Sequence, residues 1–148
     1  MTEYQMQDML DTNEQYNREY FVWCMDESND GTIESFFESE MIPYLDERTL
    51  ALMDHLDCTF DEAEAYIADR DWLVLTDDEA DKQAASYAES SLDDALYHIP
   101  THLRQYFDND AYIEDYIGGD RGSLLGHSDG NEYYVEINGT TYYLYNQS

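Results

Sequence analysis

The acidic residues of this chain alternate with apolar residues along its whole length, and this pattern constrains the fold more than any other feature. No acidic run is longer than three residues, and the run of three is Asp77, Asp78 and Glu79. A solvated acidic tail would carry its charge in blocks. The interleaving instead indicates amphipathic elements that bury one face and display carboxylates on the other.

Composition also favours a folded chain. The 148 residues contain 35 Asp and Glu against 6 Lys and Arg, a formal net charge of −29. High net charge with low hydrophobicity predicts disorder, but disordered acidic chains have few aromatic residues. Here 43% of the residues are hydrophobic and 15% are aromatic. We therefore expect a folded body that spreads its charge over the surface.

The charge excludes several classes of partner. DNA, RNA and anionic membranes need a Lys and Arg footprint that six dispersed cations do not supply. An enzyme for anionic substrates would work against its own electrostatic field. The chain also has no Gly-x-Ser-x-Gly elbow and no phosphate-binding glycine loop followed by Lys. We predict no enzymatic activity, no cofactor, no direct nucleic-acid binding and no membrane partner.

The N-terminal residues predict the compartment. Met1, Thr2 and Glu3 are not followed by the basic and apolar regions of a signal peptide. The longest apolar stretch, Tyr20–Met25, is too short to span a membrane. We therefore expect a protein of the cytoplasm.

Capping signals predict several of the helices. Thr59–Glu62 and Thr76–Glu79 both fit the capping box that starts an amphipathic helix. Pro100, at a first helical position, predicts a further helix. In that helix three residues are expected to face inward, namely Leu103, Tyr106 and Phe107.

A β-hairpin is the clearest local signal. Tyr133–Ile137 and Thr140–Tyr145 flank Asn138-Gly139, the preferred two-residue hairpin turn. That turn predicts that Tyr133 opposes Leu144, that Val135 opposes Tyr142 and that Ile137 opposes Thr140. Trp72–Leu75 is either a short buried strand or an apolar connector.

These elements predict an α+β fold, with several short amphipathic helices and a C-terminal antiparallel β-hairpin in a small sheet. We expect a single domain over residues 1–148. A subdivision into a mainly helical part, 1–71, and a part with helices and the terminal hairpin, 72–148, remains open.

The loop from Asp26 to Glu38 resembles the beginning of a calcium-binding EF-hand. Oxygen-bearing residues stand at its first, third and fifth positions, followed by glycine and then an aliphatic residue. The twelfth position, which should be a bidentate Glu, is Phe37. A turn with Thr32 capping the next helix is the favoured interpretation, and the weak calcium candidates are Asp26, Ser28, Asp30 and Glu38. A divalent-cation-binding or structural interaction protein that uses the loop from Asp26 to Glu38 is thus the alternative function.

The charge itself is the strongest functional candidate. Duplex DNA carries about one charge per 1.7 Å, so a charge of −29 corresponds to about 14 base pairs. Solubility alone needs a net charge of only about 2–8, so this charge is larger than solubility requires. The simpler alternative is an acidic interaction surface or a salt-adapted surface. The residues predicted to imitate phosphates lie on exposed helical faces: Asp61, Glu62, Glu64, Asp69, Asp71, Asp77, Asp78, Glu79, Asp81, Asp108, Asp110, Glu114 and Asp115.

The C-terminal third resembles a known family. Residues 99–108 read Ile-Pro-Thr-His-Leu-Arg-Gln-Tyr-Phe-Asp and are followed by Ala111-Tyr112, Asp115 and a terminal aromatic hairpin. This is similar to the C-terminal part of ArdA-type antirestriction proteins, although Ile113-Glu114 replaces the usual Gly-Arg. Leu73–Asp81 also looks like a stretch found in uncharacterised phage proteins.

The resemblance covers residues 99–148 and implies a function. ArdA-type proteins are elongated DNA mimics that occupy the DNA-binding groove of type I restriction–modification enzymes. Together with the charge, it predicts a phage-type inhibitor whose partner is a basic nucleic-acid-binding host protein. That partner is a restriction–modification enzyme, a CRISPR effector or a repair enzyme. A homodimer remains open.

Overall fold

The computed structural model describes residues 1–148 and confirms the α+β fold. Helices occur along most of the chain, and three antiparallel strands form one small sheet. The chain divides into two compact units, Met1–Asp69 and Arg70–Ser148, called here the N-terminal unit and the C-terminal unit. No helix of the protein combines the length and the apolar content needed to cross a membrane.

The N-terminal unit is helical. Its elements are α1 (Glu3–Thr12), α2 (Glu14–Cys24), α3 (Ile33–Phe36), a π-helical turn (Phe37–Met41), a 3-10 turn (Ile42–Tyr44), α4 (Glu47–Leu56) and α5 (Phe60–Ala68).

The core of the N-terminal unit joins α1 to the segment around α3. Its buried side chains are Met6, Met9, Leu10, Ile33, Phe36, Phe37 and Met41. Gln5 ties α1 to the end of α4, because its buried amide donates to the carbonyls of Met53 (3.2 Å) and Cys58 (2.8 Å). By contrast, α2 has no fully buried residue, so one of its faces is left on the surface.

The C-terminal unit contains the sheet. Its elements are β1 (Trp72–Thr76), α6 (Asp77–Tyr97), a 3-10 segment (Thr101–Tyr106), α7 (Asn109–Ile117), α8 (Arg121–Leu125), β2 (Tyr133–Ile137) and β3 (Thr140–Asn146).

The predicted hairpin is confirmed in its register. Tyr133 pairs with Leu144, Val135 with Tyr142 and Ile137 with Thr140. The apolar segment before α6 is a strand rather than a connector. It pairs antiparallel with β3, which therefore lies at the centre of the order β1-β3-β2.

The long helix α6 begins at the predicted capping box. Thr76 accepts from the backbone of Glu79, whose side chain accepts from the Thr76 backbone. One stripe of α6 is buried, and its residues recur every four positions: Ala80, Ala84, Ala88 and Leu92. Small side chains let the helix approach its neighbours closely. At 21 residues it is about 31 Å long, longer than the short helices that we expected.

One predicted core segment is wrong. Pro100 is followed by a 3-10 segment with no buried residue, and Leu103 and Tyr106 are 44% and 78% exposed. Side chains three residues apart lie in line on a 3-10 helix, so these two share one edge, and that edge faces solvent. Phe107 is half-buried and its ring lies 5.7 Å from that of Tyr112.

Candidate functional site

The predicted phosphate-mimicking residues of the N-terminal unit lie on and just after α5. Asp61, Glu62, Glu64 and Asp69 are all exposed. Thr59 caps this helix by accepting from the Glu62 backbone at 3.2 Å. Asp61 and Glu64 line a small cleft together with Asp8 of α1. Asp8 was not among the predicted residues, because its place beside α5 depends on tertiary packing.

The predicted residues at the start of α6 already have salt-bridge or hydrogen-bond partners within the protein. Asp77 and Asp81 each bind Nη1 of Arg121, at 2.8 and 2.9 Å. The Glu79 carboxylate accepts from the Thr76 backbone at 2.9 Å. Asp78 is exposed and pairs with Lys82 at 3.0 Å. Their charge is therefore partly balanced before any partner arrives.

Arg121 holds the elements around these carboxylates together. Its Nε and Nη2 bind the two carboxylate oxygens of Glu132 at 3.0 and 3.2 Å, and the guanidinium lies 4.6 Å from the centre of the Tyr143 ring. The Arg121 side chain is only 14% exposed. Partial burial alone would lower its pKa, but hydrogen bonds to Glu132 and Asp77 raise the pKa well above the ordinary value.

Tyr145 completes this cluster. Its hydroxyl donates to Glu132 at 2.6 Å, and its side chain is buried. Burial, together with that bond to a carboxylate, raises the pKa of Tyr145 far above the ordinary value. The cluster is a structural clamp between α8, β3 and the start of α6, and its residues are far apart in the sequence.

Exposed carboxylates without internal partners also lie further along α6 and on α7. The structure exposes three on the second half of α6 and three on α7. A contact of 2.6 Å between the hydroxyls of Ser91 and Tyr112 joins the two helices. We call this set the α6–α7 carboxylate surface; its members are Glu89, Asp93, Asp94, Asp110, Glu114 and Asp115.

The sequence prediction included the α7 members of this surface and missed the α6 members. Glu89 and Asp93 are four residues apart and lie on the side of α6 opposite its buried alanines. Acidic residues four positions apart that fall outside the apolar stripe share an exposed helix face, so this spacing could have predicted them from the sequence.

Two further predicted residues have local roles. The Asp108 carboxylate caps α7 by accepting from the Ala111 backbone at 3.0 Å. Asp71 is half-buried, and its carbonyl accepts from the Gln147 backbone at 2.8 Å. Neither belongs to the α6–α7 carboxylate surface.

The loop that resembles an EF-hand uses its carboxylates to close turns. Asp26 accepts from the backbone and the hydroxyl of Ser28 at 3.0 and 2.8 Å. Asp30 accepts from the Thr32 backbone at 2.9 Å and the Ser35 hydroxyl at 2.7 Å. These backbone and hydroxyl bonds lower the pKa of both carboxyls.

The fourth calcium candidate lies apart from that turn. Glu38 is exposed within the π-helical turn. Across residues 1–148, no group of three or more His, Cys, Asp or Glu side chains is arranged to hold a metal ion. The predicted Thr32 cap is confirmed, since its hydroxyl accepts from the Ser35 backbone at 3.3 Å.

Comparison of the chain with protein-family models, curated proteins and solved structures finds no match. The similarity of residues 99–148 to ArdA-type proteins therefore stays a prediction. What the geometry offers chemically is fixed negative charge on a folded support.

Proposed function

We propose that this protein is a phage-type DNA mimic that blocks the nucleic-acid-binding groove of a host defence protein. The observation that carries the proposal is the α6–α7 carboxylate surface. Its six carboxylates are exposed on two joined helices, without the internal cations that bind Asp77 and Asp81. On binding, these carboxylates can exchange their hydrating water for the Lys and Arg side chains of a basic groove.

Rigidity supports the proposal. The buried stripe of α6 and the Arg121 clamp hold one helix, and the Ser91–Tyr112 contact holds the other. Carboxylates on a preorganised support lose little conformational freedom on binding, so more of the electrostatic attraction appears as affinity. A disordered acidic tail would have to be ordered first.

The local charge balance supports it as well. The C-terminal unit contains 16 acidic residues and 4 basic ones, and two of those cations, Lys82 and Arg121, are already paired. The remaining repulsion between carboxylates is relieved when a cationic groove covers them. Association should therefore be fast, and it should weaken steeply with salt.

The spacing along a helix is close to that along a short duplex. At a rise of about 3.4 Å per base pair, the full length of α6 corresponds to about nine base pairs, and its free carboxylates lie on the second half. Carboxylates four residues apart are separated by about 6 Å along the helix axis, close to two steps of a DNA strand. Helical spacing can thus approximate the spacing of phosphates.

We include in the proposal that the protein is not an enzyme and acts in the host cytoplasm. The target classes are restriction–modification enzymes, CRISPR effectors and DNA-repair enzymes. The similarity of residues 99–148 to ArdA-type proteins favours the first.

Competition for a basic protein tests the function. Fluorescence anisotropy would follow a labelled DNA duplex bound to one purified member of each target class while this protein is added. We expect displacement from at least one member at low salt, and loss of that competition near about 0.5 M salt because exposed charges are then screened. Failure to displace DNA from any of the three, or competition unchanged by salt, would refute DNA mimicry.

A further inference from the structure

A second surface, on the N-terminal unit, has a different chemistry. Two neighbouring cavities run along α2, with volumes of about 480 and 270 Å³. Val22, Trp23 and Phe36 give the larger one an apolar wall, while Met41, Tyr44 and Leu45 line the smaller one. We call the two cavities together the α2 groove.

Two carboxylates lie where the cavities meet. Glu19 of α2 and Glu40 of the π-helical turn line both cavities, and both are exposed. Arg18 lines only the larger cavity. The acidic position of the groove is therefore its middle, between two apolar ends.

The π-helical turn explains how Glu40 reaches this position. The turn is closed by the Ile42 backbone, which donates to the carbonyl of Phe37, five residues earlier. In an α-helix, residue 40 would share a face with the buried Phe37. The wider turn rotates Glu40 away from that face, while Met41 stays buried. Single π turns of this kind occur frequently at functional sites.

The apolar face of α2 extends beyond the groove. Phe21, Val22 and Met25 are 66%, 64% and 69% exposed, and exposed apolar side chains that form a contiguous patch beside a cavity are a typical docking surface for a partner. Trp23 lines the larger cavity, with its ring 5.5 Å from that of Phe36. Aromatic walls of this type are the usual anchors of peptide-binding grooves.

We propose that the α2 groove binds an amphipathic basic helix of a partner protein. Its apolar side chains would fill the two cavities, and a Lys or Arg between them would bind Glu19 and Glu40. This docking site goes beyond DNA mimicry, because it recognises the apolar side chains of a partner as well as its charge. It lies on the N-terminal unit, whereas the α6–α7 carboxylate surface lies on the C-terminal unit.

Spacing supports a helical occupant. The α2 residues that line the groove run from Gln15 to Trp23, which is eight residue steps or about 12 Å along the axis. Apolar residues at positions i and i+7 of a partner helix are about 10 Å apart and fit within this length. A cation at i+3 or i+4 then falls between them, opposite the two carboxylates.

Charge argues against a second copy of this chain as the occupant. The N-terminal unit contains 19 acidic residues and 2 basic ones. Two such faces brought together would repel each other, and each would supply Glu19 and Glu40 to the other. A basic helix removes the repulsion and supplies the missing cation.

Synthetic peptides and two point variants test the docking site on the full chain. The probe is a labelled helical peptide of about 16 residues, with leucines at i and i+7 and arginine at i+4. A matched peptide has the same composition but places one leucine on the opposite face. We expect the first peptide to bind at least about tenfold more tightly than the second.

The variants separate the groove from general acidity. Val22→Asp and Tyr4→Asp each add one charge at an exposed apolar position of the N-terminal unit, but only Val22 lines the groove. Val22→Asp should weaken binding of the first peptide about tenfold, and Tyr4→Asp should not. Glu19→Gln with Glu40→Gln should also weaken it, while Glu14→Gln with Glu34→Gln should not. Circular dichroism checks that each variant is folded.

Several results would overturn the docking site. Equal affinity for the two peptides, or an equal loss of affinity in both aspartate variants, would mean that the peptide is bound by long-range electrostatic attraction alone. Self-association abolished by Val22→Asp in sedimentation would identify a second copy as the occupant. Neutralising Glu89, Asp93 and Asp94 should leave peptide binding unchanged, so failure here is distinguishable from failure of DNA mimicry.

Discussion

Arg121 and Glu132 form a two-point ion pair in which Nε and Nη2 of the arginine bind the two carboxylate oxygens at 3.0 and 3.2 Å. The same guanidinium binds Asp77 and Asp81 through Nη1. One largely buried cation thus serves three carboxylates in a unit that has only four basic residues. The stability of the C-terminal unit should therefore depend on it strongly.

Replacing Arg121 tests this dependence. Arg121→Met leaves three carboxylates close together without their cation. Because Glu132 is only 27% exposed but Asp77 and Asp81 are 66% exposed, the expected loss is about 1.5–3 kcal/mol. Urea unfolding followed by Trp72 fluorescence, in a Trp23→Phe background, reports on the C-terminal unit. Arg104→Met, at an exposed position, is the control, and equal losses in the two variants would contradict the clamp.

The Tyr145 hydroxyl predicts a pH dependence. Its pKa is raised above the ordinary value of 10.0 in the folded protein, so its stabilising contribution is complete below pH 10 and is lost as pH rises through the folded-state pKa. Tyr145→Phe should be less stable than the wild type at about pH 8, and the difference should shrink above about pH 10. Tyr134→Phe, at an exposed position, should show no such convergence in the same urea titrations. If the stability difference between Tyr145→Phe and the wild type does not change with pH, the raised pKa of Tyr145 is contradicted.

Two glycines after the clamp arginine are required by close backbone approach. A Cβ on Gly122 would lie 2.8 Å from the Glu132 nitrogen, and one on Gly126 would lie 2.7 Å from the Asn131 oxygen. Gly122→Ala and Gly126→Ala should each lower the melting temperature by more than Gly119→Ala does. Gly119 has a positive φ but open space around it, so its replacement costs only about 1–2 kcal/mol of backbone strain. Equal melting temperatures would show that the loop adjusts freely.

The loop that resembles an EF-hand should not bind calcium tightly. Asp26 and Asp30 already accept hydrogen bonds from Ser28, Thr32 and Ser35, and a cation would have to replace those bonds without a bidentate Glu at the twelfth position. Isothermal titration with calcium should show no submicromolar binding. Tight binding that Asp26→Ala abolishes would revive the cation-binding function.

Local signals in the sequence predicted much of the backbone correctly. The Thr76 capping box and the Asn138-Gly139 hairpin are confirmed, because caps and two-residue turns are decided by neighbouring residues. Of the capping box predicted at Thr59–Glu62, the bond from the Glu62 backbone to Thr59 is present, so the cap is confirmed in that half. Pro100 did begin a helical segment, but its length and its exposed edge depend on packing that local sequence does not encode.

The candidate site was predictable only in outline. Charge and helical spacing indicated an acidic surface, yet they did not show which carboxylates Arg121 would occupy, since Asp77 and Arg121 are 44 residues apart. The α2 groove was missed for the same reason: Glu19 and Glu40 come together only when the π-helical turn is folded against α2. Pairings between distant residues are tertiary information.

If the α6–α7 carboxylate surface replaces DNA phosphates, neutralising it should weaken inhibition more than neutralising other exposed carboxylates does. One variant carries Glu89→Gln, Asp93→Asn and Asp94→Asn, and the control carries Glu27→Gln, Asp54→Asn and Asp57→Asn. Both sets are exposed and change the net charge equally, but the control set lies outside the proposed surface.

The measurement is the concentration that displaces half of the labelled duplex from the inhibited host protein at low salt. We predict that neutralising the α6–α7 carboxylate surface raises this concentration at least about tenfold. The control should raise it less than about threefold, as expected for a change in net charge alone. Equal effects of the two variants would refute phosphate mimicry by this surface.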